Sequence, residues 1–67
     1  MRKNLKILRI QNDLTQDGMA DRLGVSRTGY INVELGKSKG SIDFWLKVKK
    51  EFPDADIEEL VKVRKKN

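Results

Sequence analysis

Apolar residues recur along the chain at helical intervals, and turn-forming residues divide them into five short segments. In the first, Leu5, Ile7, Leu8 and Ile10 precede the turn-prone pair Asn12-Asp13, with Leu5 and Leu8 on one face. Thr15 is placed to cap a second helix, Gln16 to Leu23, with Met19, Ala20 and Leu23 on its inner face. Gly18 costs that helix about 1 kcal/mol relative to alanine. Gly24 suits the left-handed backbone that ends a helix. Ser26 is placed to cap a third helix running to about Leu35, with Tyr30 and Val33 inward, and Gly36 closes it. The stretch Gly36-Lys37-Ser38-Lys39-Gly40 reads as a polar loop. Ser41 caps a fourth helix, Ile42 to about Glu51, whose Ile42, Trp45, Leu46 and Val48 are expected to supply much of the core before Pro53 breaks it. Asp56 and Glu59 have the spacing of a capping box, opening a fifth helix with Ile57, Leu60 and Val61. The pattern predicts an all-α, compact five-helix fold with no strand and no internal repeat, one domain over residues 1–67.

Composition narrows the setting. A chain of 67 residues buries only roughly 60% of its unfolded surface, so its stability rests on efficient packing or on dimerisation. Without cysteine or histidine, disulfides, the usual zinc sites and Cys or His nucleophiles are excluded. No apolar run approaches the roughly 18–20 residues of a membrane span, and the N-terminus lacks the apolar stretch of a signal peptide. A cytoplasmic protein is expected, with no membrane partner and no small-molecule ligand or cofactor. The net charge of +5 favours a polyanionic partner, nucleic acid first. Arg2, Lys3, Lys6 and Arg9 make the first segment positive. The basic tail Lys62, Arg64, Lys65, Lys66 follows Asp54, Asp56, Glu58 and Glu59, and reads as a solvated helix end whose cations suit the helix dipole.

The informative stretch runs from Thr15 to Arg27. Two short helices there meet at a sharp turn. Ala20 is small where the helices cross closely, Gly24 four residues later lets the backbone turn, and Val25, Tyr30 and Val33 anchor the second helix. The exposed face of that helix begins with Ser26, Arg27 and Thr28, and Asn32 lies one turn on. A helix N-terminus presenting such side chains fits a DNA major groove. Each also has a structural reading, as a solvated arginine, an ordinary surface asparagine or plain loop lysines. Trp45 and Tyr30 sit at inward positions, which argues against the exposed stacking platforms of single-strand binders.

Leu8-Arg9, Leu14-Thr15-Gln16, Ala20, Leu23-Gly24-Val25-Ser26, Glu34-x-Gly36-Lys37 and Ser41-Ile42-x-x-x-Leu46 follow one another without a gap. In that order and spacing the chain resembles the phage repressor and Cro family, the XRE-like helix-turn-helix proteins with a lambda-repressor-like fold. The resemblance implies a helix-turn-helix over about 16–35 with a recognition helix over about 26–35. It implies base contacts from Arg27, Thr28 and Asn32, phosphate contacts from Gln16, Ser26, Lys37 and Lys39, and an ion pair between Arg9 and Glu34. It further implies a bacterial or phage-encoded, nucleoid-associated regulator that binds double-stranded DNA as a homodimer.

The chain departs from the family pattern at several positions. Gly29 stands in place of a larger residue and loosens the recognition helix. Tyr30 replaces an aliphatic residue, and its hydroxyl needs a partner or solvent. Ile31 is expected to be exposed, either touching a thymine methyl or contacting another protein. Lys49 replaces a small residue, and Pro53-Asp54-Ala55 is one residue longer than usual. With Gly29, Ile31 supports the competing reading of a protein-binding module on the same fold, an anti-repressor or antitoxin. An enzyme is the least supported class, because the carboxylates Asp54, Asp56, Glu58 and Glu59 are explained by helix capping and the dipole. The end at Lys65-Lys66-Asn67 is compatible with a natural terminus or with a fragment.

Overall fold

Three hydroxyl side chains set the starts of the three central helices. Thr15 Oγ1 accepts from Gly18 N, Ser26 Oγ from Gly29 N and Ser41 Oγ from Phe44 N, each at 3.0 Å. Caps of this kind contribute about 1 kcal/mol each. A computed structural model describes residues 1–63, and the helices are α1 (Lys3–Gln11), α2 (Gln16–Leu23), α3 (Arg27–Leu35), α4 (Ile42–Glu51) and α5 (Ile57–Val61). The described residues contain no strand. The left-handed backbone expected at Gly24 is present (φ 71°), and Gly36 takes the same form (φ 84°) at the end of α3.

Leu5, Met19, Ala20, Leu23, Tyr30, Val33, Phe44, Val48, Phe52 and Leu60 form the core, with one or more from every helix. Removing each large side chain from water contributes roughly 1.5–3 kcal/mol before entropy is charged against it. Helix α2 packs chiefly on α3 and also on α4, while α5 closes over α1 and α4. The Cα radius of gyration is 10.7 Å, close to the roughly 11 Å of a compact chain of this size.

Four expectations need correction. Ile42 and Leu46 are not core residues: they are 81% and 63% exposed, because α4 turns Phe44 and Val48 inward instead. Trp45 is half-buried at the core's edge, with its indole nitrogen donating to the Lys39 carbonyl. The capping box at α5 does not form: Asp56 makes no side-chain cap, and the Glu59 carboxylate instead accepts from Lys62 Nζ at 2.7 Å. That bond raises the Lys62 pKa above its ordinary value. Ile31 is half-buried rather than exposed. Of the basic tail, Arg64, Lys65 and Lys66 lie outside the described residues.

Arg2, which counts as surface charge in the sequence, is buried (3% exposed). Its guanidinium donates to the carbonyls of Val33 (2.6 Å), Ser38 (2.6 Å), Lys39 (3.2 Å) and Val61 (3.0 Å). It also lies 5.6 Å from the centre of the Trp45 ring. Burial lowers the Arg2 pKa from its usual value. One side chain therefore joins the end of α3, the following loop and the end of α5.

Candidate nucleic-acid interface

The interface is built on the turn between α2 and α3. Val25 N donates to Ala20 O at 3.0 Å, and the buried Ala20 leaves room for the two helices to approach. Beneath them, Glu34 is 1% exposed and acts as the junction of three helices. Its Oε1 accepts from Arg9 Nε at 2.8 Å and from the Tyr30 hydroxyl at 3.2 Å, and its Oε2 accepts from Gln16 Nε2 at 2.7 Å. Arg9 also donates to the Leu14 carbonyl at 2.8 Å. A carboxylate this deeply buried is tolerable only with paired charge and filled lone pairs, and here both conditions are met. The Glu34 hydrogen bond raises the Arg9 pKa, while burial is the first cause that pushes the Tyr30 phenol well above its ordinary value.

This cluster fixes the orientation of α3, and the other end of the helix faces outward. Ser26, Arg27 and Thr28 are exposed, and Asn32 is half-buried one turn later. The first turn of α3 carries no acidic residue, so its positive dipole end is not neutralised from within the helix. Across the turn, however, Asp17 in the first turn of α2 pairs with Arg27 Nε, both side chains being more than two-thirds exposed. Gly29 is accommodated by its cap: a Cβ there would stand 2.8 Å from Ser26 Oγ, closer than real contacts allow.

The loop after α3 is held from below. Lys37 N and Ser38 N donate to Asn32 O at 2.9 and 3.2 Å, and the Ser38 and Lys39 carbonyls turn inward to Arg2. Gly40 (φ 77°) passes over the indole, where a Cβ would lie 2.8 Å from Trp45 Nε1. Lys37 and Lys39 are left exposed. The structure thus gathers Ser26, Arg27 and Thr28 at one helix start. Lys37 and Lys39 occupy a pinned loop at the helix's far end, and Gln16 is half-buried against Glu34.

Sequence reasoning missed the roles of Arg2 and Asp17 and the place of Gln16 and Tyr30 in the Glu34 cluster. Only Tyr30 carried a signal, since a buried hydroxyl demands a partner.

Residues 5–60 match the family model described as helix-turn-helix. The chain belongs to that family. The match takes in every helix that supplies the interface, and the family, of the XRE-like type, is one of DNA-binding transcription regulators. An uncharacterised HTH-type transcriptional regulator of Methanocaldococcus jannaschii is 40% identical over 52 residues, covering 78% of this chain and 79% of that protein. A second, YqaE of Bacillus subtilis, is 53% identical over 34 residues, covering 51% of this chain and 29% of that protein. No solved structure matches at the same stringency.

Proposed function

We propose that this regulator reads specific sequences in double-stranded DNA by laying the first turn of α3 in the major groove, as a two-fold dimer on a palindromic operator. The reading unit is residues 16–35 within a single domain spanning 1–67. The observation that carries the proposal is the exposed Ser26-Arg27-Thr28 start of a helix whose body is anchored through buried Glu34. A rigidly held helix presents its side chains at fixed positions, which base readout requires.

Arg27 has the bidentate geometry for guanine and Asn32 for adenine, each worth roughly 1–3 kcal/mol of discrimination, and Thr28 suits a thymine methyl or a base edge. Lys37 and Lys39 neutralise phosphates and set register without reading sequence. Ser26 Oγ accepts from Gly29 N and retains a hydroxyl proton for phosphate, while Gln16 keeps a second amide proton beyond the one given to Glu34. Binding releases Arg27 from Asp17, a small cost for an exposed pair. One copy covers only a few base pairs, so two copies would bind half-sites about one helical turn apart, as Cro-like regulators do.

The test is selection from a random duplex library at near-physiological salt, followed by sequencing of the retained DNA. Enrichment of a palindrome with half-sites about one turn apart is expected. Weak, salt-sensitive retention with no enriched motif would overturn the reading and favour a protein partner.

A further inference from the structure

Helix α4 bears none of the residues assigned to DNA, yet its Trp45 reaches the loop that carries two of them. The indole nitrogen donates to the Lys39 carbonyl at 3.2 Å, and the Arg2 guanidinium donates to the same oxygen at 3.2 Å. Gly40 lies against the edge of the indole, where a Cβ would meet Trp45 Nε1 at 2.8 Å and Cε2 at 3.3 Å. Phe44 packs edge-on to the indole, with ring centres 4.9 Å apart and planes at 85°, and Phe44 itself belongs to the core. A packed path therefore runs from the core through one aromatic pair to the backbone of Lys39.

The charges that this path serves are unclaimed. Among the described residues no ion pair includes Lys37 or Lys39, and both are exposed. A lysine ammonium rides on a flexible stem, so gripping a phosphate costs ordering entropy. Fixing the backbone beforehand removes that share of the cost. Lys37 N and Ser38 N tie the near end of the loop to Asn32 O on α3. Past that tie, Lys39 is held through its carbonyl by Arg2 and Trp45.

We propose that Trp45 is a positioning residue for DNA binding: its N–H fixes the Lys39 backbone and so sets the strength of the phosphate grip beside the recognition helix. The inference deepens the DNA reading above and rests on it. Arg2 shares the hold on Lys39 but also serves Val33, Ser38 and Val61. Trp45 is therefore the position at which the Lys39 tether can be cut by itself.

Trp45→Phe tests this, because it keeps an aromatic ring beside Phe44 and removes the N–H. Gly40→Ala tests it from the other side, leaving the indole intact and pushing the surface loop off it. Folding is checked by circular dichroism, and should Trp45→Phe fail to fold, Gly40→Ala alone decides. Affinity is titrated across several salt concentrations on a duplex enriched by the selection above and on a scrambled one. Each variant is expected to bind both duplexes about three- to tenfold more weakly, by the same factor on each. The salt slope should fall towards that of Lys39→Ala, by up to about 1. In a Lys39→Ala background the side chain being positioned is gone, so neither substitution should weaken binding further. Lower thermal stability with wild-type affinity per folded molecule would overturn the proposal. So would weakening by the same factor with and without Lys39, and either result leaves the DNA reading standing. Wild-type protein that binds neither duplex would overturn that reading, and this inference with it.

Discussion

Gln16, the first residue of α2, donates to Glu34 in the last turns of α3 at 2.7 Å, so one carboxylate sets the angle between the helices of the turn. The opposite oxygen of Glu34 takes Arg9 and Tyr30. Glu34→Gln would leave the largely buried Arg9 guanidinium without its counter-charge. Destabilisation of about 3–5 kcal/mol is expected, a large share of the stability of so small a domain. Urea denaturation measures it, and Arg9→Met in the same background should recover part of the loss.

The pairing of Arg27 with Asp17 predicts a gain of binding. Asp17→Asn removes a carboxylate from the reading face and frees the guanidinium, so DNA affinity should rise. Because both partners are exposed, thermal stability should hardly change. A titration showing equal or weaker binding would mean that Asp17 orients Arg27 rather than restrains it.

Arg27 and Lys39 should separate by kind. Arg27→Ala is expected to flatten the preference at one operator position and cost about 1–3 kcal/mol there, whereas Lys39→Ala weakens every sequence alike and lowers the salt slope by about 1. Binding measured across single-base operator variants and several salt concentrations distinguishes them. Identical behaviour of the two variants would dissolve the division between base and phosphate contacts.

Loss of Arg2 should loosen the lysine loop before it unfolds the domain. Arg2→Met strips the guanidinium from the Val33, Ser38, Lys39 and Val61 carbonyls, at about 1–3 kcal/mol for each carbonyl left buried and unsatisfied. Hydrogen exchange at the Lys37 and Ser38 amides, which bond to Asn32 O, should accelerate more than exchange in α2. Arg2→Lys should fall between, since an ammonium lacks the planar fork that reaches several acceptors.

Stability should fall in alkali. The Tyr30 phenol is held protonated in the folded state, by burial first and then by the Glu34 charge. The unfolded tyrosine loses its proton near its ordinary value of about 10. Above that pH the folded state binds more protons than the unfolded state, so stability declines as pH rises from about 10 upward. Tyr30 is the sole tyrosine, so phenolate absorbance should appear together with loss of helix by circular dichroism. Tyr30→Phe should remove that part of the pH dependence.

Helix positions were legible because their punctuation is local. Thr15, Ser26 and Ser41 cap where their spacing predicts, and Gly24 and Gly36 take the left-handed form there. The failures are tertiary. Periodicity along α4 admits two faces, one through Ile42 and Leu46 and one through Phe44 and Val48. Only packing against α2 selects the second. Asp56 and Glu59 have capping-box spacing, yet Lys62 competes for the carboxylate. Arg2 carries no local mark of burial, because its acceptors lie 31 to 59 residues away along the chain. The Arg9–Glu34 pair was reachable only through family resemblance, and Gln16 as its third member was not reachable at all.

The reach of Arg2 sets an order of events during synthesis. Its side chain is made 59 residues before the Val61 carbonyl that completes its set of acceptors. A nascent chain halted before α5 would hold the capped helices but an under-satisfied guanidinium at their junction, leaving the lysine loop to sample several shapes. Completion of α5 therefore helps to fix the loop that carries Lys37 and Lys39, and with it the surface beside α3.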